Sequence, residues 1–406
     1  TAAPGHRLSF CTIVYGLSLT DEVTDTPLGS AANGYPDAYA VPDESTRVDL
    51  PWAGQMQAVI ADMVDADGAP VQECPRAAVR RLQSAYDEFG VQPVFGYEYE
   101  VYVTHADGTP QAGRPLGDTI NGYSLARISE ARPMVDAFLE RMEQIGVGVE
   151  MFHSEIGPGF FEFALAPAPA LEAADAAARA RQWFRETCTE FGLHATFMAK
   201  RYPGESGSGG HVHQSLVRDG ANVFSDGQGG LSERGRHYLG GLLATMNESA
   251  ALFGPFVNSY KRLDPDLFVA TRATWGSDTR NAACRVLLDV PASAARVEHR
   301  RPGADANPYL VAAALLAGGL HGLRHQVEPG PALAPGDDLA TAGGTLPTDL
   351  STAIHALEES QVLRPLLGEP LVQAYLATRR AEQQVFDDWW RRSVSEWELA
   401  RYPKHI

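Results

Sequence analysis

Phe95-Gly96-Tyr97-Glu98-Tyr99-Glu100-Val101-Tyr102 sets large apolar side chains against glycine and carboxylates in strict alternation as far as Val101. Period two is the spacing of a β-strand, which puts Glu98 and Glu100 on one face and Tyr97, Tyr99 and Val101 on the other. An isolated Glu-x-Glu is ordinarily a solvated strand face. Here the surrounding chain argues otherwise, because carboxylates recur downstream in segments that read as buried.

The next such segment is Phe152-His153-Ser154-Glu155-Ile156-Gly157-Pro158-Gly159-Phe160-Phe161-Glu162-Phe163. Glu162 stands between two phenylalanines, and a buried carboxylate needs a cation or a donor. Glu155 precedes a Gly-Pro-Gly turn that could bring it alongside, although one internal salt bridge would satisfy this cluster alone. Further on, Gly207-Ser208-Gly209-Gly210-His211-Val212-His213-Gln214-Ser215 places His211, His213 and Ser215 on one strand face, directly after a glycine-rich loop whose amides suit phosphate. The arginines follow: Arg262 in Asn258-Ser259-Tyr260-Lys261-Arg262, then Arg280, Arg285, and Arg296-Val297-Glu298-His299-Arg300, whose alternate residues share a face. Any one of them alone is an ordinary surface ion pair. Glu98, Glu100, Glu155, Glu162 and Glu298 converging on one cavity would repel unless hard divalent cations sat among them. Guanidinium groups beside those ions would hold phosphate and a substrate carboxylate. The pattern predicts metal-assisted phosphoryl transfer from ATP.

Composition narrows the setting. The 406-residue chain is 44% hydrophobic and 21% charged, which fits an enzyme of two or three domains and excludes a disordered or fibrous protein. A formal charge of −18 argues against nucleic-acid binding, because a phosphate backbone would be repelled. No stretch approaches the ~20 apolar residues of a membrane helix, and Thr1 to Arg7 has no signal-peptide pattern, so a cytoplasmic protein without membrane or nucleic-acid partners is expected. Cys11, Cys74, Cys188 and Cys284 lack Cys-x-x-Cys spacing and read as reduced thiols rather than a zinc site or disulfide framework.

Residues 1–90 read as a small α+β unit with strands at 8–15 and 57–63, closed by a helix that starts at Pro75 and stops at Gly90. Beyond it, strands at 95–103, 147–152, 160–166, 194–200 and 211–217 alternate with helices near 132–144 and 170–191. The fold class is α+β: a mostly antiparallel sheet with helices packed outside it. Helical runs at 231–252, 307–325, 348–363 and 369–399 complete the chain, with a Pro-, Gly- and Ala-rich loop at 329–347.

Taken in order, these segments resemble the glutamine synthetase superfamily over nearly the whole chain. The resemblance rests on Ala195 to Lys200, Gly207 to His213, Asn258 to Leu263, Trp275-Gly276 with Arg280, and Glu298 through Asn307-Pro308-Tyr309. It implies a β-grasp domain over 1–90 and a catalytic ATP and metal domain over 91–406, with a curved antiparallel sheet and outer helices. It also implies a homododecamer of two hexameric rings with active sites shared between neighbours. By the same resemblance Glu100, Glu155 and Glu162 ligate one Mg²⁺ or Mn²⁺ ion, and Glu98, His211 and Glu298 a second, out of two or three in all. His213, Ser215, Arg285 and Arg296 match nucleotide-contacting positions. Arg262 and Arg300 match residues that hold glutamate, and Arg280 one that neutralises the transferring phosphoryl group. The implied reaction phosphorylates the γ-carboxylate of glutamate, after which an amine attacks the acyl phosphate.

Four positions depart from that pattern. Ammonia-using members carry a flap glutamate where this chain has Phe268, and an aspartate before a Gly-Ser-Ser turn where it has Leu28. Without these carboxylates an ammonium ion would shed water at a cost of several kcal/mol, whereas an organic amine would gain apolar contact with Phe268. A γ-glutamyl-amide ligase acting on an alkylamine, amino alcohol or polyamine is therefore expected, with Asp266 as a possible substitute acid. Phe160 stands in place of the usual glutamine after the Gly-Pro-Gly turn, and Ser206 in place of the usual asparagine before Gly207. Both lie where the α-amino end of glutamate is expected, which keeps a different carboxylic acid open. A non-catalytic relative is the remaining alternative, against which the full set of buried charges argues. No tyrosine occurs in 329–347, near where some bacterial members are adenylylated, so that regulation is not expected.

Overall fold

The structure is a computed structural model that describes residues 8–111, 122–264, 267–334 and 336–403. Asp266 lies outside the described residues. Near the N-terminus, Leu8–Cys11, Asp37–Pro42 and Ala61–Val64 form a three-stranded antiparallel sheet with Asp37–Pro42 in the middle. The expected strand at 8–15 ends at Cys11, because Thr12–Tyr15 tightens into a 3₁₀ turn. The expected strand at 57–63 is two strands in different sheets: Met56–Ala58 pairs with Val48–Leu50, and Ala61–Val64 joins the three-stranded sheet.

The helix Pro75–Ala85 opens with proline at its first turn and buries Ala78, Val79 and Leu82 on one side. A 3₁₀ turn, Tyr86–Phe89, carries it to Gly90, whose φ of 60° is the left-handed cap that glycine adopts without steric cost. Arg76 on this helix, 4% exposed, ties the small sheet to the rest of the molecule. Its guanidinium pairs with Asp43 at 2.9 Å, with Asp62, and with Asp175 of the helix Ala170–Glu190 at 2.8 Å.

The main sheet has ten strands around the 14-residue strand Gln92–His105. Along its principal path the order is Trp275–Ser277, Cys284–Leu287, Arg296–His299, Gly210–Arg218, Gln92–His105, Phe160–Leu165 and Val149–Ser154. All these pairs are antiparallel except the first, which is parallel. Tyr97, Tyr99, Val101 and Val103 point into the core with Phe161, Phe163, Val212 and Val297. Helices cover that face. Pro308–His325 is buried along nearly its whole length and is capped by Asn307, whose side chain accepts from the Tyr309 and Leu310 amides. Tyr97 donates to the Pro308 carbonyl and Tyr86 to that of Leu316, both at 2.7 Å, which fixes the helix against the sheet. Helix Glu233–Ala244 crosses it so closely that a Cβ on Gly241 would sit 2.1 Å from the Gly318 carbonyl.

Sequence periodicity misplaced several helix ends. Leu125–Gln144 begins about two turns before the expected start because Ser124 caps it, accepting from the Arg127 amide. The run at 231–252 is two helices, Glu233–Ala244 and Ala250–Phe253, and that at 369–399 breaks at Ser393 into Glu369–Arg392 and Glu396–Arg401. Among the described residues, no helix is long and apolar enough to cross a membrane.

Candidate active site

Alternation frees the outer face of the sheet for polar groups, and register brings them together. His211 lies opposite Glu98, and His213 opposite both Gly96 and Glu298. Glu100 lies opposite Glu162, which faces His153 on its other side, and Arg285 lies opposite Glu298. These residues floor a cavity of about 1210 Å³. It is large enough for a nucleotide and a second substrate together. All six expected metal ligands line it, as do His213, Ser215, Arg285, Arg296, Arg262, Arg280, Arg300, Phe160, Ser206, Gly207 and Phe268.

Glu98, His211 and Glu298 form the first cluster. His211 Nδ1 is 2.9 Å from Glu98 and 3.5 Å from Glu298, and His213 Nε2 is 3.3 Å from Glu98. Burial pushes the Glu98 carboxyl upward, but hydrogen bonds from His211 and His213 outweigh it and hold the group well below the usual carboxylate range. Glu298 is 1% exposed, and burial pushes its carboxyl upward. Arg300 pairs with one of its oxygens and Arg285 with the other at 3.1 Å, and its pKa is lowered. Arg296 donates to His213 Nδ1 at 3.1 Å, which turns the other ring nitrogen toward Glu98.

The second cluster brings the expected Glu155 and Glu162 together with His153. His153 Nε2 lies 3.0 Å from Glu162 and Nδ1 3.8 Å from Glu155. Glu100 is beside them on the same face, but its carboxylate accepts from the Gly209 amide. Burial raises both Glu100 and Glu162 to about 7. Burial opposes charge on His153 too, yet the hydrogen bond and charge of Glu162 lift it to about 9. Sequence reasoning gave His153 no role, since a lone histidine in a strand is ordinary and only cross-strand register aims it at Glu162. Tyr123, whose ring centroid is 4.8 Å from that of His153, is a second cavity residue that no motif announced.

The donor sets suit divalent cations. Each cluster offers two carboxylates and an imidazole with ligand atoms within 4.8 Å of one another, an oxygen-rich set appropriate to Mg²⁺ or Mn²⁺.

One arginine of the cationic wall is fixed by backbone carbonyls. Arg262 is 3% exposed and donates to the carbonyls of Arg300 and Arg301, 3.1 Å each, while its guanidinium lies 3.3 Å from His211 Nε2. Arg280 is exposed at the rim and has no ion pair among the described residues. Phe160 is buried and stacks on Tyr102 at 4.1 Å, and Tyr102 donates to the Ser206 carbonyl at 2.8 Å. Phe268 is 59% exposed with a left-handed φ of 58°. Leu28 is remote from this cavity and packs with Ala38, Val71 and Cys74 in the small sheet's own core.

Comparison with known proteins agrees with this geometry. The glutamine synthetase catalytic domain family matches residues 72–402. The chain is 32% identical to type-1 glutamine synthetase 2 of Dictyostelium discoideum, over 97% of this chain and 77% of the relative. It is 33% identical to a glutamate–isopropylamine ligase from a Pseudomonas species, over 99% and 88%. Among solved structures, apo GmaS without ligand superposes with a TM-score of 0.84 at 28% identity, covering 97% of this chain and 89% of that one. With a matching catalytic domain, fold and site on one chain, the protein belongs to the glutamine synthetase family and is an ATP-dependent carboxylate–amine ligase.

Proposed function

We propose that this enzyme joins the γ-carboxylate of glutamate to an organic amine, with ATP converted to ADP and phosphate. Alkylamines, amino alcohols and polyamines are the candidate classes. Phe268 carries the reading: an exposed phenyl ring lines the cavity at the position where the family resemblance places a flap carboxylate for ammonium. Ile156, Leu267 and Val269 line the same cavity. Apolar area covered there is worth about 25 cal/mol per Å², a gain open to a substituted amine and closed to ammonia. Similarity to a ligase named for isopropylamine supports the same reading.

The residues divide the work. Arg262, locked by two backbone carbonyls, and Arg300, paired to Glu298, present guanidinium forks for the carboxylates of glutamate. Arg280 at the rim is placed to offset charge on the phosphoryl group in transfer. His213, Ser215, Arg285 and Arg296, which line the same cavity, are assigned to the nucleotide. Glu98, His211 and Glu298 would hold one divalent ion, and His153, Glu155 and Glu162, with Glu100 beside them, another. When bound, such ions neutralise phosphate charge and polarise the transferred group.

A second reading concerns the acid. Phe160 and Ser206 give this wall a stacked ring and a backbone carbonyl engaged by Tyr102, with no side-chain amide for the α-amino group of glutamate. A different carboxylic acid would suit that wall. The retained pair Arg262 and Arg300 favours glutamate.

Exposed Trp389, Trp390, Trp397 and Leu399 near the C-terminus, with Phe10, Leu19 and Met56 near the N-terminus, offer apolar surface for contacts between copies, in keeping with the two-ring homododecamer that the family resemblance implies. Free thiols at all four cysteines suit the reducing cytoplasm.

The test is phosphate release and product mass spectrometry with Mg²⁺-ATP, a panel of acids and a panel of amines. Glutamate with an organic amine should give the highest kcat/KM. Equal or faster turnover with ammonia would refute the reading.

A further inference from the structure

Phe268 is held in a conformation that a phenylalanine does not choose. Left-handed backbone costs an L-residue roughly 1–2 kcal/mol, so the surrounding chain has to impose it. What surrounds it is a distant segment. Arg272 and Ala273, just beyond Phe268, form a short antiparallel ladder with Thr345 and Gly344. The Arg272 guanidinium forks into the same turn, donating to the Ala342 carbonyl at 2.7 Å, the Gly343 carbonyl at 2.8 Å and Thr345 Oγ1 at 3.4 Å. Gly343 has φ 68°, and a Cβ there would meet the Ala273 carbonyl at 2.2 Å, so only glycine lets the two strands approach. Leu339 and Phe268 line one small hollow of about 20 Å³, too small for more than a water molecule. On the other side Arg301 donates to the Ala270 carbonyl at 2.9 Å, fastening this stretch next to Arg300.

We propose that residues 336–345 are a brace for the amine wall, with Arg272 and Gly343 as positioning residues and Leu339 as a determinant of the amine's size. The inference rests on the organic-amine reading. It adds that selectivity is set in part by residues about seventy positions downstream of the wall, in a loop that carries no catalytic group. Arg272 holds the ladder that fixes where Phe268 stands, and Leu339 fixes how far the ring can retreat. Loosening either one lets a substituted amine bind less tightly or admits a bulkier one, while ATP binding on the far side of the cavity is untouched.

The test uses the full-length enzyme and its Arg272→Ala, Arg272→Lys and Leu339→Ala variants, with KM measured separately for ATP and for each amine. Arg272→Ala should raise the KM of the preferred amine about tenfold with the KM for ATP unchanged. Arg272→Lys should recover only part, because an ammonium cannot make the planar fork. Leu339→Ala should move the amine ranking toward larger substituents. Leu339 is 42% exposed, so this variant keeps the test alive if Arg272→Ala does not fold. A wild type that prefers ammonia refutes the organic-amine reading and the inference with it. A wild type that prefers an organic amine, with amine KM values and ranking unmoved in the folded variants, refutes the brace alone.

Discussion

Glu298→Gln removes one charge from the centre of the first cluster and leaves its shape intact. In the native protein the carboxylate, 1% exposed, accepts from Arg285 at 3.1 Å and from Arg300, and lies 3.5 Å from His211 Nδ1. A hydrogen bond between charged groups contributes about 1.5–3 kcal/mol. Arg285 keeps Asp278 at 2.9 Å and loses at the low end of that range. Arg300 loses its one ion-pair partner among the described residues and, with its side chain only 12% exposed, loses at the high end. The expected cost is about 3–4 kcal/mol, reduced somewhat by the carbonyl that glutamine retains. Equilibrium urea unfolding in EDTA measures it without a contribution from bound ions. A cycle with Arg300→Met isolates the pair and should show a coupling of about 2 kcal/mol. A change in unfolding free energy below about 0.5 kcal/mol, or zero coupling, would show that the arginines do not depend on Glu298 and would overturn this account of how the site tolerates its own charge.

Three further outcomes are expected. Phe268→Glu should raise kcat/KM for ammonia relative to the preferred organic amine by at least about tenfold, read by phosphate release with each. Mg²⁺ or Mn²⁺ should raise the thermal midpoint of the wild type, and Glu98→Gln or Glu162→Gln should abolish most of that rise, seen by calorimetry with and without EDTA. Arg76→Ala should cost about 3 kcal/mol, because buried Asp175 loses its guanidinium partner while Asp43 and Asp62 keep Arg80. In the wild type the hydroxyl of Ser45, with Arg76 and Arg80, holds Asp43 well below its ordinary value. Its stabilising contribution is therefore present above about pH 4 and lost as pH falls. The variant should show a flatter acid limb in the same denaturation assay.

Much of this was legible because period two is local. Alternation alone gives Glu98 and Glu100 one face, His211 and His213 another, and Arg296, Glu298 and Arg300 a third, and the sheet joins these faces. Which side chain meets which is decided by register, a long-range property that spacing does not encode. That is why His153 went unassigned: only the sheet brings it to Glu162 and Glu155, beside Glu100 in the same cavity. Leu28 needed a family comparison to be singled out, and its packing away from this chain's cavity could not be seen in sequence. Helix ends were missed where a single side-chain cap, such as Ser124, outranks the hydrophobic rhythm.

The fourteen-residue strand Gln92–His105 has a consequence for how the protein is made. Slippage by one residue against either neighbour would drive Glu98 and Glu100 into the phenylalanine core and push Tyr97 and Tyr99 out toward the cavity. Misaligned chains are thus too unstable to persist. The same alternation acts as a proofreading device during folding, so that a molecule that packs its interior also brings its carboxylates and histidines to one cavity.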